Sequence, residues 1–181
     1  MKNFIYITFI ALLFFGCKQK AETKIVEPEL SIAEKIADAH GFENWKNVSE
    51  IQFTFAGNRN WVWSPKTNDI KLTTSKDTIS YNRSSMDSIA MKADRGFIND
   101  KFWLLIPFQL VWDEGTTISE PEKAEAPISK TEINKITLTY SNEGGYTPGD
   151  AYDIFYGDDY IINGSKTFIT NGVYSNFVVV A

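Results

Sequence analysis

One cysteine and one histidine leave this chain little reactive chemistry to work with. His40 stands alone, so a Ser–His–Asp triad, a histidine-built zinc site or a haem ligand set lacks its parts. It reads instead as a helix-end side chain beside backbone carbonyls. Cys17 alone excludes a disulfide within one molecule and a thiolate metal cluster. Asp150, Asp153, Asp158 and Asp159 gather around turns and offer the oxygen ligands that calcium takes. Their spacing matches no EF-hand loop, and they read as solvated turn residues. No GxxxxGK[ST] loop or GxGxxG turn occurs, so the usual nucleotide cradles are missing. These residues assign no catalytic group, no metal and no cofactor, and they point away from an enzyme.

The aromatic side chains are more informative. Trp61, Trp63, Phe102, Trp103, Phe108, Trp112, Tyr152 and Tyr156 supply flat apolar surfaces of the kind that line a lipid or small-molecule cavity. Strand propensity alone also places aromatics in a core. Trp61, Trp63, Phe102, Trp103, Trp112 and Tyr152 are the candidate lining residues on this reading. The run "FWLLIPFQLVW", residues 102–112, is the most apolar part of the chain after the N-terminal segment, and it reads as a core segment. With a formal net charge of −5 and scattered basic residues, the chain lacks the positive footprint that a phosphate backbone needs. Nucleic acid is not an expected partner.

The elements that would position these side chains follow from periodicity. "SIAEKIADAHG" carries Ser31 as N-cap, Glu34 to close a capping box, apolar residues on one face and Gly41 as a stop, which predicts a helix over 32–40. From Val48 the period becomes two. Ile51/Phe53/Phe55, Trp61/Trp63, Ile70/Leu72 and Ile79/Tyr81 predict four short strands joined by "GNRN", "PKTND" and "SKD", short enough for antiparallel hairpins. "INKITLTYS" and "AYDIFYGDDYII" predict further strands. Between the groups, Asn99 or Asp100 would cap a short helix ended by Pro107, with a strand over 108–112, and residues 114–131 read as a charged surface loop. The expected fold is mainly β within the α+β class: a twisted antiparallel sheet or half-barrel with an N-terminal helix and a short middle helix.

At the N-terminus, Lys2 precedes an apolar run from Phe4 to Phe15. Twelve helical residues reach about 18 Å against a hydrocarbon layer of about 30 Å, so the run reads as an export signal over residues 1–16. Leu13 to Cys17 resembles a lipobox, with Phe14 and Phe15 in place of smaller residues. That resemblance implies cleavage before Cys17 and its acylation with chains such as palmitate. Two or three acyl chains would hold the protein on a bilayer, with the outer membrane of the cell envelope favoured over the inner. Residues 17–30 then form a lipidated cysteine and polar tether; the thirteen residues from Lys18 cover roughly 20 Å as a flexible coil.

"ADAHGFENWKNVSEIQFTF" resembles the opening of periplasmic lipoproteins of the LolA/LolB-like kind. "NWVWSPKTNDIKLTT", "ISYNRSSMDS", "ADRGFINDKFWLLIPFQLVWDEGTT" and "EGGYTPGDAYDIFYGDD" look like an uncharacterised family of bacterial envelope lipoproteins. The resemblance spans residues 31–162 and implies a half-barrel closed by helices over an apolar cavity, with lipid or a small apolar ligand as partner. Members of that family carry more strands beyond this point.

The last segment is different. Residues 160–181 hold one charged residue, Lys166, whereas residues 18–159 hold 39 in 142 positions. "DDYIINGSKTFITNGVYSNFVVVA" resembles the middle β-domain of acyl-CoA dehydrogenases. There the residue matching Phe168 packs on the flavin, the one matching Thr170 hydrogen-bonds it, and Asn171 stands where that family has Ser or Asn. The helical domains and catalytic glutamate of such an enzyme have no counterpart in the chain, so the tail, residues 163–181, implies no flavin chemistry by itself. The expectation is a junction of two coding sequences at "GDDYII". The alternatives to a non-catalytic ligand-binding lipoprotein are a non-functional fusion carrying a dehydrogenase fragment and a structural envelope lipoprotein without ligand.

Overall fold

The computed structural model describes residues 29–143 and 148–162. Cys17 with its flanking signal and tether, and Phe168, Thr170 and Asn171 in the tail, lie outside the described residues.

Helix α1 spans Ile32–Ala39, and its start is the expected capping box: Ser31 Oγ accepts from Glu34 N at 3.3 Å while Glu34 Oε2 accepts from Ser31 N at 2.7 Å. It stops where Gly41 turns the backbone to φ +80°, a conformation glycine adopts without strain. A 3-10 turn over Phe42–Asn47 then leads into the strands.

Strands β1 (Ile51–Phe55), β2 (Arg59–Ser64), β3 (Asp69–Thr73) and β4 (Thr78–Asn82) form one antiparallel sheet in chain order. Registers such as Phe53↔Trp61 and Trp63↔Ile70 put the alternating large side chains on one face. Helix α2 covers that face. Trp61, Trp63, Ile70 and Leu72 of the sheet meet Ala93 and Phe97 of α2 in one buried cluster.

The middle region corrects the sequence reading. Helix α2 runs Ser88–Leu104, seventeen residues rather than a short helix capped at Asn99 or Asp100, and its N-cap is Asp87, whose carboxylate accepts from Ala90 N at 2.8 Å. Its buried face includes Ala90, Ala93, Asp94, Phe97 and Asp100. The spacing is helical, but two of those positions are aspartates, so the face shows no continuous apolar period. Residues 108–112 are also helix rather than strand: α3 spans Ile106–Trp112. Pro107 sits in its first turn, where the missing N–H has no intrahelical partner to lose, so it starts this helix instead of ending the previous one.

The second antiparallel sheet is built around β7 (Glu132–Tyr140). Strand β8 (Ala151–Tyr156) pairs along one edge of β7, and β5 (Thr116–Ile118) and β6 (Glu122–Glu125) share its other edge. Both β5 and β6 fall in the stretch expected to be a loop. β5 is only three residues long and β6 is polar and exposed, so a periodicity reading misses both; the β7 backbone holds them, with the Lys135–Glu122 pair at 2.8 Å adding to β6. Helices α1 and α3 and the end of α2 pack on this sheet through Ile36, Phe102, Leu110, Ile136, Leu138 and Ile154. Among the described residues neither sheet closes into a barrel. Helix α2 is thus the shared element, with Phe97 in one core and Phe102 in the other.

Candidate functional site

Two buried carboxylates on α2 fix that helix to the first sheet. Asp100 accepts from Arg59 Nε at 2.6 Å, Arg59 Nη2 at 2.7 Å, Trp61 Nε1 at 2.8 Å and Asn99 Nδ2 at 2.9 Å. Asp94 accepts from Tyr81 Oη at 3.0 Å and from Arg83 Nε at 3.0 Å. Each is fully buried, and each faces a guanidinium. The Asp100 interaction holds the Arg59 guanidinium above its usual pKa range. Carboxylates this completely engaged have little capacity left for a ligand, and they act as pins.

The opposite situation arises where the C-terminal end of α2 meets α3 and the second sheet. A cavity of about 810 Å³ opens there, with Phe102 and Lys101 from α2, Gln109 from α3, Asp113 after it, and Tyr140 and Tyr152 from β7 and β8. Phe102 and Tyr152 sit 4.7 Å apart between ring centroids, and Tyr140 closes the triangle at 6.3 and 6.2 Å. The Tyr140 hydroxyl donates to the Asp113 carboxylate. Burial and that bond push the Tyr140 hydroxyl well above the ordinary phenol range.

Gln109 is the exceptional residue. It is 1% exposed, and neither its amide nitrogen nor its amide oxygen has a hydrogen-bond partner among the described residues. A buried amide left unpaired costs roughly 1–3 kcal/mol, so a native fold normally supplies it with partners. Here Gln109 is one of the residues that line the large cavity.

Lys101 divides this cavity from a smaller one of about 360 Å³, lined also by Trp45, Trp63, Arg83 and Trp112. Its ammonium lies 5.9 Å from the Trp63 ring and 5.6 Å from the Trp112 ring. Trp45 packs at a tilt against both, with ring centroids at 5.5 and 4.6 Å. Burial among these rings draws the Lys101 ammonium below its usual pKa, and the Asp113 carboxylate opposes the shift. The Trp63 indole N–H has no partner among the described residues.

A third opening of about 800 Å³ lies between the start of α1 and the second sheet. Polar groups that line it already have partners: Lys35 with Glu29 at 2.9 Å, Asn134 with Asp158 at 2.9 Å, and Ser119 Oγ with Thr137 N at 2.9 Å. It lacks the unpaired buried group that distinguishes the Gln109 cavity.

The six aromatic residues singled out in the sequence separate into three groups. Phe102 and Tyr152 line the large cavity, and Trp63 and Trp112 line the small one. Trp61 is 1% exposed in the first core, with its indole N–H on Asp100, and Trp103 is 40% exposed on the outer side of α2, edge-on to Phe102; neither lines these cavities. Lys101, Gln109, Asp113 and Tyr140 escaped the sequence reading. Gln109 left one trace there, as the single polar residue inside "FWLLIPFQLVW".

His40 sits where its spacing suggests, with Nδ1 2.8 Å from the Ile36 carbonyl, and its Nε2 accepts from Ile162 N at 3.4 Å. The four turn aspartates have hydrogen-bond partners: Asp150 accepts from Tyr152, Asp153 from Thr137, Asp158 from Asn134 and Asp159 from Ile161 N. Among the described residues no helix is long and apolar enough to cross a membrane. No family model, no curated protein and no solved structure matches the chain.

Proposed function

We propose that this chain is a non-catalytic envelope lipoprotein, tethered through an acylated Cys17, that holds an apolar or amphiphilic molecule in the cavity between α2, α3 and the β7–β8 hairpin. The observation that carries the reading is Gln109, a buried amide with donor and acceptor both unpaired in an aromatic-walled cavity of a size ordinary for small-molecule sites. The same cavity has no activated nucleophile among its described residues. Asp113 is occupied by the Tyr140 hydroxyl, and Ser141 at the rim donates to the Glu143 carbonyl rather than to a base.

Titration of the purified full chain with a fluorescent fatty acid, read by energy transfer from tryptophan, tests this reading. Saturable binding that is weakened or lost in Ile98→Trp, which puts a larger side chain at a residue that also lines the cavity, is the expected result. Binding that is absent, or unchanged in a folded Ile98→Trp chain, would leave a structural envelope protein as the better description.

A further inference from the structure

The cavity's free polar groups describe its ligand more narrowly than its apolar walls do. Lys101 makes no ion pair within 4 Å among the described residues, although it lines the cavity and is half-buried. The acid with the strongest electrostatic hold on it, Asp113, already accepts the Tyr140 hydroxyl. Arg95 at the rim is exposed and likewise makes no ion pair among the described residues. Gln109 adds an amide that can donate at one end and accept at the other. Glu114 and Glu143 also line the opening, but both are exposed to solvent, where their charge is screened.

We propose that the ligand of this cavity is an amphiphilic carboxylic acid whose carboxylate pairs with Lys101 and accepts from the Gln109 amide, with a hydroxyl or amide N–H close to the carboxylate donating to the Gln109 carbonyl. Its apolar body lies along Phe102, Tyr140 and Tyr152. The inference rests on the ligand-binding reading above and assigns the head group. A cationic head would meet Lys101 at short range in a poorly solvated site. A purely apolar molecule would bury Gln109 without satisfying it, and a plain alcohol would leave Lys101 unpaired. Burial that draws the Lys101 ammonium down is relieved by an adjacent anion, which is the direction of coupling this pairing requires.

The test is calorimetric titration of the full chain with 3-hydroxydodecanoate, dodecanoate and dodecanol, repeated on folded Lys101→Met and Gln109→Leu. In the wild type the hydroxy acid is expected to bind tightest and dodecanol weakest, the acids exceeding the alcohol by about ten-fold or more, the scale of a charge-assisted hydrogen bond in a desolvated site. Lys101→Met should bring the acid-to-alcohol ratio close to one with alcohol binding retained. Gln109→Leu should remove the advantage of the hydroxy acid over dodecanoate. Equal binding of acid and alcohol by the wild type, or a preference that survives both substitutions, would overturn the head-group assignment while leaving the cavity a binding site. No saturable binding of any of the three would overturn both.

Discussion

The contact of α2 with the first sheet and the buried side of α3 treat buried polarity in opposite ways. Toward the first sheet, Asp94 and Asp100 are completely buried and fully engaged, Asp100 by four donor groups from three residues. Where α2 gives way to α3, Gln109 is as deeply buried and engaged by none among the described residues. The contrast separates two uses of a polar side chain inside a protein. A satisfied one defines how two elements dock, and an unsatisfied one leaves its hydrogen-bonding capacity uncommitted within the fold.

The largest effect that would break the contrast is removal of a pin. Asp100→Leu leaves Arg59 and the Trp61 indole facing a hydrocarbon, and a loss of about 3–5 kcal/mol is expected by urea denaturation. A loss under about 1 kcal/mol would mean that α2 docks by apolar packing alone. Gln109→Leu is expected to move stability in the opposite direction, raising it by about 1–3 kcal/mol in the absence of ligand, because an unpaired amide gives way to a side chain of similar size that needs no partner. A destabilised Gln109→Leu would show that the amide has a structural partner.

Alkaline pH sharpens the cavity side. Folding raises the pKa of the Tyr140, Tyr152 and Tyr156 hydroxyls, burial being the first cause in each. The folded state therefore holds more protons than the unfolded state above about pH 10, and stability falls as pH rises through that range. Lys101, with its pKa lowered, works in the other direction: its ammonium is disfavoured by folding, and that penalty fades as pH rises toward the ordinary lysine value. Thermal melts between pH 8 and 11 should show a net alkaline loss that is shallower in Tyr140→Phe and steeper in Lys101→Met. The smallest effect tests the packed side. Gly96 lies inside α2, and a Cβ there would meet the Trp61 ring at 3.7 Å, an ordinary contact, so Gly96→Ala is expected to gain about 0.5–1 kcal/mol. A loss would mean that α2 and Trp61 have no room for a methyl group.

The parts of the molecule legible in the sequence are those governed by short-range rules. Ser31 and Glu34 announce α1, Gly41 ends it, and the alternation from Ile51 to Tyr81 encodes four hairpin strands. Helix α2 was legible only in part, because Asp94 and Asp100 occupy face positions that a hydrophobicity pattern assigns to solvent. Their burial depends on Arg83 and Arg59, 11 and 41 residues away. Strands β5 and β6 were missed for a related reason, since polar edge strands are specified by the neighbour that pairs with them.

The candidate site follows the same division. Aromatic richness was visible from composition, and Phe102, Tyr152, Trp63 and Trp112 do line cavities. Composition could not distinguish them from Trp61, which fills the core, or Trp103, which lies outside it, because all six satisfy the same propensity. Sequence alone determined the antiparallel hairpins and the first helix, whose hydrogen bonds and turns close over a few residues. Only the tertiary structure decided that Lys101, Gln109 and Tyr140 share one cavity. A buried group is paired or unpaired according to what distant segments bring to it, and no local pattern records that.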